Sequence, residues 1–161
     1  MADDGLADDA IVEMKRATSP ADLQVISDWL HDCWLSLPDS TAAVGVVSLD
    51  GMSDERAQRH VVRSVGPFVR YSPLHRRLTL SVAGVKSVAL VDDAMIDETS
   101  VSRLVWDEDA STLVIEGNIP VTLTFIVDAL DVTLVVHRDL VTRRERWGLA
   151  RKWSSHRAAD A

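Results

Sequence analysis

Apolar and polar residues alternate with a period of two across residues 75–137, and this pattern most limits what the chain can fold into. Leu78, Leu80 and Val82 alternate with polar side chains, and two later segments repeat the pattern. Successive side chains of a β-strand point to opposite faces, so this period predicts strands that bury one row of side chains and expose the other. The segments are short and are separated by turn signals rather than helices, which favours antiparallel pairing.

Turn signals divide the rest of the chain into further strands. Asp50-Gly51 marks a turn, Ser72-Pro73 is expected to end a strand, and Gly84 is expected to mark a bulge or bend. A turn at 107–110 predicts a hairpin. The predicted strands cover residues 31–37, 41–49, 68–71, 75–82, 85–91, 101–106, 111–116, 121–127 and 130–137. We therefore predict a mostly β (α+β) domain in which a curved antiparallel sheet forms a sandwich or a partly open barrel.

One N-terminal helix is predicted before these strands. Ser19 can cap it, Pro20 suits the first helical position, and Asp22 lies in the first turn, where the helix dipole favours a negative charge. Apolar residues then recur at helical spacing, so we expect a helix over about 20–30 that covers one end or edge of the sheet.

The sequence divides into three parts by charge and pattern. Residues 1–18 form an acidic, partly disordered lead-in with a short helix at 10–16, and residues 19–138 form the single β-rich domain. The polar segment 52–66 within that domain is expected to form a short helix or a loop insertion. Residues 139–161 form a basic, Trp-containing tail, which is expected to be a helix of modest length.

The start of the chain and its cysteine content predict a cytoplasmic protein. Cys33 is the only cysteine, so an intrachain disulfide is excluded. The acidic first ten residues lack the basic and apolar regions of a secretory signal. No apolar run approaches the roughly 18–20 residues that a transmembrane helix needs.

The formal net charge of −8 argues against the whole domain being a duplex-DNA binder and favours a protein partner, including one with a basic surface. The tail is the exception, because its arginines and tryptophans suit phosphate contact and base stacking, or an acidic membrane surface. The tail residues considered as interface candidates are Arg144, Trp147, Arg151 and Trp153. The favoured interpretation is that Trp147 packs on the sheet while the arginines face water or the domain's own carboxylates.

His31-Asp32 is the pair most suggestive of chemistry, because adjacent His and Asp ligate metals in a class of helical phosphohydrolases. Those enzymes carry further ligands on helices, whereas this chain is β-rich. The favoured interpretation is that the pair ends the helix and begins the first strand. A His near a helix C-terminus is also favourable to the dipole.

Other catalytic patterns are absent from the sequence. It contains no Cys-x-x-Cys, no Gly-x-Ser-x-Gly elbow and no Gly-rich phosphate loop, and Cys33 lies among apolar neighbours. We therefore predict no catalytic residue, no functional metal and no cofactor. The ligand or metal candidates, should distant residues converge in the fold, are His31, Asp32, His75 and His137.

Trp34 and Trp106 are expected to be core residues by default. Either one becomes a candidate interface anchor if it is exposed on a sheet face, because Trp is enriched in binding hot spots.

The chain has a short helix that ends at Trp29-Leu30, followed by a strand that begins with His31-Asp32-Cys33-Trp34-Leu35. The run 78–85 and the turn 117–120 before paired strands fit the same layout. This layout resembles several small bacterial families over residues 20–138. They include uncharacterised domains and immunity proteins that neutralise polymorphic toxins. The resemblance implies a non-enzymatic binding protein and carries over no catalytic residue.

Three functions remain open at this point. The first is a protein-binding domain of the immunity or adaptor kind, acting through an acidic or aromatic surface. The second is an enzyme or small-ligand binder with a site in the mouth of the β-structure. The third is a self-assembling structural protein in which an exposed sheet edge pairs with its copy.

Overall fold

The computed structural model describes residues 11–38, 44–53, 59–93, 95, 98–142 and 146–149. This part of the chain is mostly β and contains a large antiparallel sheet, as predicted, together with one helix. The elements are β1 (Ile11–Ala17), α1 (Pro20–Leu30), β2 (Trp34–Ser36), β3 (Gly45–Met52), β4 (Arg59–Val65), β5 (Phe68–Asp92), β6 (Glu98–Asp107), β7 (Thr112–Gly117), β8 (Val121–Val127), β9 (Val132–Thr142) and β10 (Arg146–Leu149).

Strand β5 is 25 residues long and organises the sheet. Its first part, from Phe68 to Pro73, pairs with β4 and β10. The middle part pairs with β3 and β9, and the last part, from Val85 to Asp92, pairs with β8. All of these pairings are antiparallel, so one strand joins five others into a single hydrogen-bonded system.

The sheet order follows from these pairings. It runs β1-β9-β5-β3-β2-β6-β7-β8, and β8 also pairs with β5, so the pairings from β5 onward return to their start. Strand β1 ends the order and pairs with β9 alone among the described strands.

The bulge predicted at Gly84 is confirmed. Gly84 has φ of +66°, a conformation that glycine adopts without a Cβ penalty. Val82 pairs with Val47 and Val85 pairs with Gly45, so β5 has one more residue than β3 at this point. The bulge lies where β5 changes its partner from β9 to β8.

The predicted alternation is confirmed in the core. Leu78, Leu80 and Val82 are buried, while the residues between them are less so. Helix α1 adds Leu23 and Ile26 to the same buried cluster and packs against β6 and β1. Each such side chain contributes about 1.5–3 kcal/mol when fully buried, so this cluster is the main source of stability.

Helix α1 has the predicted bounds and start signal. The Ser19 Oγ accepts a hydrogen bond from the Asp22 backbone N–H at 3.2 Å, and Pro20 is the first helical residue. The prediction of a short helix at 10–16 is wrong, because the first described element is strand β1. Pairing with β9 decides the structure here, since tertiary context overrides weak local propensity.

Three further expectations differ from the structure. Segment 52–66 contains strand β4 from Arg59, and residues 54–58 lie outside the described part. The prediction of a C-terminal helix is wrong at Arg146–Leu149, because these residues pair with β5 as a strand. Residues 143–145 and 150–161 lie outside the described part. Pro73 does not end a strand. It lies between the stretches of β5 that pair with β10 and β9, where its missing N–H breaks no ladder with those strands.

No helix in the described part of the chain is long and apolar enough to cross a membrane.

The Ser27 hydroxyl gives the first testable prediction. It is buried on α1 and accepts a hydrogen bond from the Leu104 N–H of β6 at 2.9 Å. Ser27→Ala leaves that N–H unpaired, so the free energy of unfolding should fall by about 1–3 kcal/mol in denaturant titration. Gln24→Ala, on the exposed side of the same helix, should change it by less than about 0.5 kcal/mol. Equal effects of the two substitutions would contradict this role for Ser27.

Candidate binding surface

Strand β1 presents a free edge. Its residues pair with β9 from Ile11 opposite His137 to Ala17 opposite Val132, and no described strand pairs with its other side. Alternate backbone N–H and C=O groups therefore face away from the sheet. An unpaired edge of this kind is a template for adding an extended segment of another chain.

The two faces of β1 differ. Val12 and Met14 lie on the outer face and are 52% and 66% exposed. Ala17 lies on the inner face and is buried against the core, with Glu13 and Lys15 half-buried on the same side. Large apolar side chains on an uncovered edge strand are unusual in a protein that stays alone in solution. We call the free edge of β1, together with Val12 and Met14, the β1 surface.

The outer face continues from the β1 surface across three more strands. Met14 is opposite Val135 on β9, Val135 is opposite Thr79 on β5, and Thr79 is opposite Asp50 on β3. The next row passes through Ser81 and Ser48, whose hydroxyls are 2.8 Å apart. This face is therefore polar in its centre and apolar along β1.

His137 belongs to this outer face rather than to a cleft with the other histidines. The Thr79 hydroxyl donates to Asp50 Oδ1 at 3.2 Å and lies 3.0 Å from His137 Nε2. The Thr79 hydroxyl therefore links the Asp50 carboxylate to the His137 ring. The three side chains join adjacent strands of the sheet.

Two ion pairs organise the charges of β1. Glu13 and Lys15 are 2.5 Å apart on the inner face. Arg16 donates to both oxygens of Asp131, with distances of 2.9 and 2.8 Å, and so ties the end of β1 to the turn before β9. The hydrogen bonds from Arg16 lower the pKa of the Asp131 carboxyl, against an opposing effect of burial. The carboxylate in turn raises the pKa of Arg16.

His31 and Asp32 form a small polar cluster after α1. His31 Nδ1 and Asp32 Oδ2 are 3.1 Å apart, and both side chains are more than half exposed. The Asn118 amide donates to Asp32 Oδ1 at 3.1 Å and to Ser100 Oγ at 3.2 Å. The backbone of Asp32 has φ of +66°, and its N–H donates to Val101. This geometry reverses the chain at the end of the helix, in the manner of a left-handed cap.

His75 lies in a different environment. It is buried, and its Nδ1 is 2.6 Å from the carbonyl oxygen of Ser53. The Ser53 N–H and the Arg76 carbonyl are also hydrogen-bonded, so His75 helps to hold the end of β3 against β5. The four ligand candidates thus occupy three separate hydrogen-bond environments. Within the described residues, no group of three or more His, Cys, Asp or Glu side chains could hold a metal ion.

The tryptophan and arginine candidates are distributed as follows. Trp34 and Trp106 are both half-buried, and Trp106 packs against the core cluster. The backbone of Trp147 lies in β10, opposite Arg70 of β5. Arg144, Arg151 and Trp153 lie outside the described residues.

A second surface is the arm, which we define as β4, residues 68–73 of β5, and β10. These residues include Arg59, Arg63, Arg70 and Arg146, and they contain no aspartate or glutamate. Val65 and Phe68 flank the tight turn at its tip and are 50% and 52% exposed. The arm therefore combines positive charge with exposed apolar side chains.

Sequence reasoning missed both surfaces for identifiable reasons. Because a helix is predicted at 10–16, the alternation of Val12 and Met14 with Glu13 and Lys15 is not interpreted as a strand. That alternation was the signal available in the sequence. The sequence pattern assigns β4 to an insertion, residues 68–71 to a separate short strand and β10 to the tail, since nothing local indicates that β10 returns to β5.

No family model, no curated protein and no solved structure matches this chain.

The Arg16–Asp131 pair gives a prediction about pH. Because the folded-state pKa of Asp131 is lowered, the pair stabilises β1 above the usual carboxyl range, and this stabilisation is lost as pH falls through the lowered pKa. Hydrogen-exchange protection of the β1 amides, relative to intrinsic rates, should fall in acid in the native chain. In Asp131→Asn, the protection of the β1 amides should be lower at neutral pH and should no longer fall in acid through loss of this ion pair.

The matched control is Asp128→Asn, which removes the partner of Lys86 on β5 instead. It should leave the protection of β1 unchanged. Equal loss of protection in both variants would contradict the assigned role of Asp131.

Proposed function

We propose that this chain is a non-enzymatic protein-binding domain, of the immunity or adaptor kind, that acts through the β1 surface. The observation that carries the proposal is an edge strand that pairs on one side only among the described strands, and on which Val12 and Met14 are more than half exposed. A partner segment added to this edge gains main-chain hydrogen bonds, and alternate side chains provide specificity. The half-buried Trp34 and Trp106 support an aromatic binding surface less well.

The main alternative is an enzyme or small-ligand binder built from the histidines and Asp32. Catalysis by these residues would require a shared site, because an acid, base or ligand acts only within hydrogen-bond or coordination distance. His75 and His137 instead bind Ser53 and Thr79 within the sheet. The His31–Asp32 pair alone is exposed to solvent and is already engaged by Asn118. The protein-binding function is therefore the better supported of the two.

For the finer architecture, we propose that the sheet curves into a partly open barrel. The circuit of pairings from β5 through β3, β2, β6, β7 and β8 supports this shape, as does the single cluster of buried residues. Strands β9 and β1 would then extend beyond the circuit and leave the β1 surface projecting at the side.

Substitution of the β1 surface tests the proposed function. Val12→Lys and Met14→Lys each replace an exposed apolar side chain with a charge and should weaken binding of the protein partner by about 10- to 100-fold. Val25→Lys is the matched control, because Val25 is exposed to the same extent, 54%, but lies on α1. The immobilised chain is used to retain partners from a native extract, and the dissociation constant is then measured for the partner identified.

Retention lost with Val12→Lys and kept with Val25→Lys supports the proposal. A chain that retains no protein, or that responds equally to both substitutions, would count against it.

The arm favours a second candidate function, which is binding of an anionic polymer such as duplex nucleic acid. Arg63 is exposed on β4, and Phe68 is exposed at the tip. Proteins also read DNA grooves with β-strands, and an apolar tip can wedge between base steps. The acidic remainder of the chain opposes this function at long range, although salt screens that repulsion beyond about 8–10 Å.

Salt dependence tests the second candidate. Binding to a fluorescent DNA duplex should weaken steeply with salt, and Arg63→Ala should lower the slope of log K against log[salt] by about 1 for each phosphate contact removed. Arg103→Ala is the control, because Arg103 of β6 is also exposed but pairs with Glu116 of β7, away from the arm. Absence of binding at low salt, or the same slope change in both variants, would exclude the arm as a nucleic-acid site.

A further inference from the structure

We propose that the partner of the β1 surface is a second copy of this chain, paired antiparallel through β1 with Met14 opposite its own counterpart. This inference rests on the proposed function and names the partner of the same site. It follows from the charge pattern of β1 and from the requirement that the two outer faces stay on one side of a continuous sheet.

The side-chain period limits the possible registers. In an antiparallel pair, directly opposite residues lie on the same face, and a shift of one residue exchanges the two faces. Pairing that keeps Val12 and Met14 of both copies on one face therefore allows only shifts by two residues. In a symmetric antiparallel pair, the central residue lies directly opposite the same residue of the second copy. Within the charged part of β1, this central residue can be Glu13, Met14 or Lys15, which gives three registers.

Charge selects one register from these three. Centring on Glu13 or on Lys15 places two like charges directly opposite each other, which is destabilising. Centring on Met14 places Glu13 of each copy opposite Lys15 of the other. Each opposite-charge pair of this kind stabilises the pairing, and the two-fold symmetry provides it twice. The strand is therefore complementary to itself in one register.

The same register also covers the exposed apolar residues. Met14, which is 66% exposed, would lie against Met14 of the second copy, and Val12 would lie against the aliphatic part of Arg16. On the inner face, the Glu13–Lys15 ion pair of each copy would join into a network of four charges. Networks of charges are more effective than isolated exposed pairs.

Charge exchange between copies is the decisive experiment. Glu13→Lys places lysine opposite lysine, and Lys15→Glu places glutamate opposite glutamate, so each variant alone should dimerise at least about tenfold more weakly than the native chain. An equimolar mixture of the two variants pairs opposite charges again and should form a heterodimer. The double variant E13K/K15E should regain the homodimer. Mass in solution is measured by analytical ultracentrifugation over a range of concentrations.

The mixture separates pairing between copies from effects within one chain. Both single variants lose the internal Glu13–Lys15 pair, and mixing them restores no contact inside either chain. Recovery of the dimer on mixing can therefore come only from contacts between copies. If the native chain dimerises but the mixture does not recover, the register centred on Met14 is wrong.

A native chain that stays monomeric at every concentration would overturn the dimer. The proposed function then survives if a different protein is retained in a manner sensitive to Val12→Lys. If neither a dimer nor such a partner is found, the proposed function fails together with this inference.

Discussion

The structure depends on one constraint, which is that the backbone hydrogen-bonding groups along the 25-residue strand β5 need partner strands. No single neighbour is long enough to pair with all of them. The chain therefore supplies β10, β9 and β8 in series, with β4 and β3 as further partners. The bulge at Gly84 allows this exchange of partners without exposing the row that contains Leu80 and Val82. Placement of β9 by β5 in turn determines where β1 can pair.

The location of the candidate site follows from that order. Because β9 is held by β5 on one side, its other edge accepts β1, and the sheet ends there. Arg16 and Asp131 fix the end of β1, while Ala17 is anchored in the core next to α1. The strand is therefore held in place, but its far edge and its apolar outer side chains are left for another chain. An edge strand without a covering element usually carries protective charges, and β1 carries them in a self-complementary order.

The sequence was sufficient for features that depend on local periodicity. The alternation around Leu80, the cap at Ser19 and the bulge at Gly84 were all predictable, because each depends on a few adjacent residues. Strand β1 was not predicted, since its pairing with β9 links residues that are more than a hundred positions apart. The ligand candidates illustrate the same limit, because sequence gives the identity of His75 and His137 but not the sheet positions that separate them. Long-range pairing decides these features, and single-sequence patterns do not encode it.

The central claim is that β1 is paired with β9 along one edge and unpaired along the other. Residue-resolved hydrogen exchange of the Ile11–Ala17 amides tests this claim most directly. In a chain kept monomeric by Glu13→Lys, amides directed at β9 should be protected and the alternate amides should exchange rapidly. Protection of the alternate amides should appear once Lys15→Glu chains are added. Rapid exchange at every position would show that β1 is not held in the sheet, and protection at every position in the monomer would show that its edge is already covered.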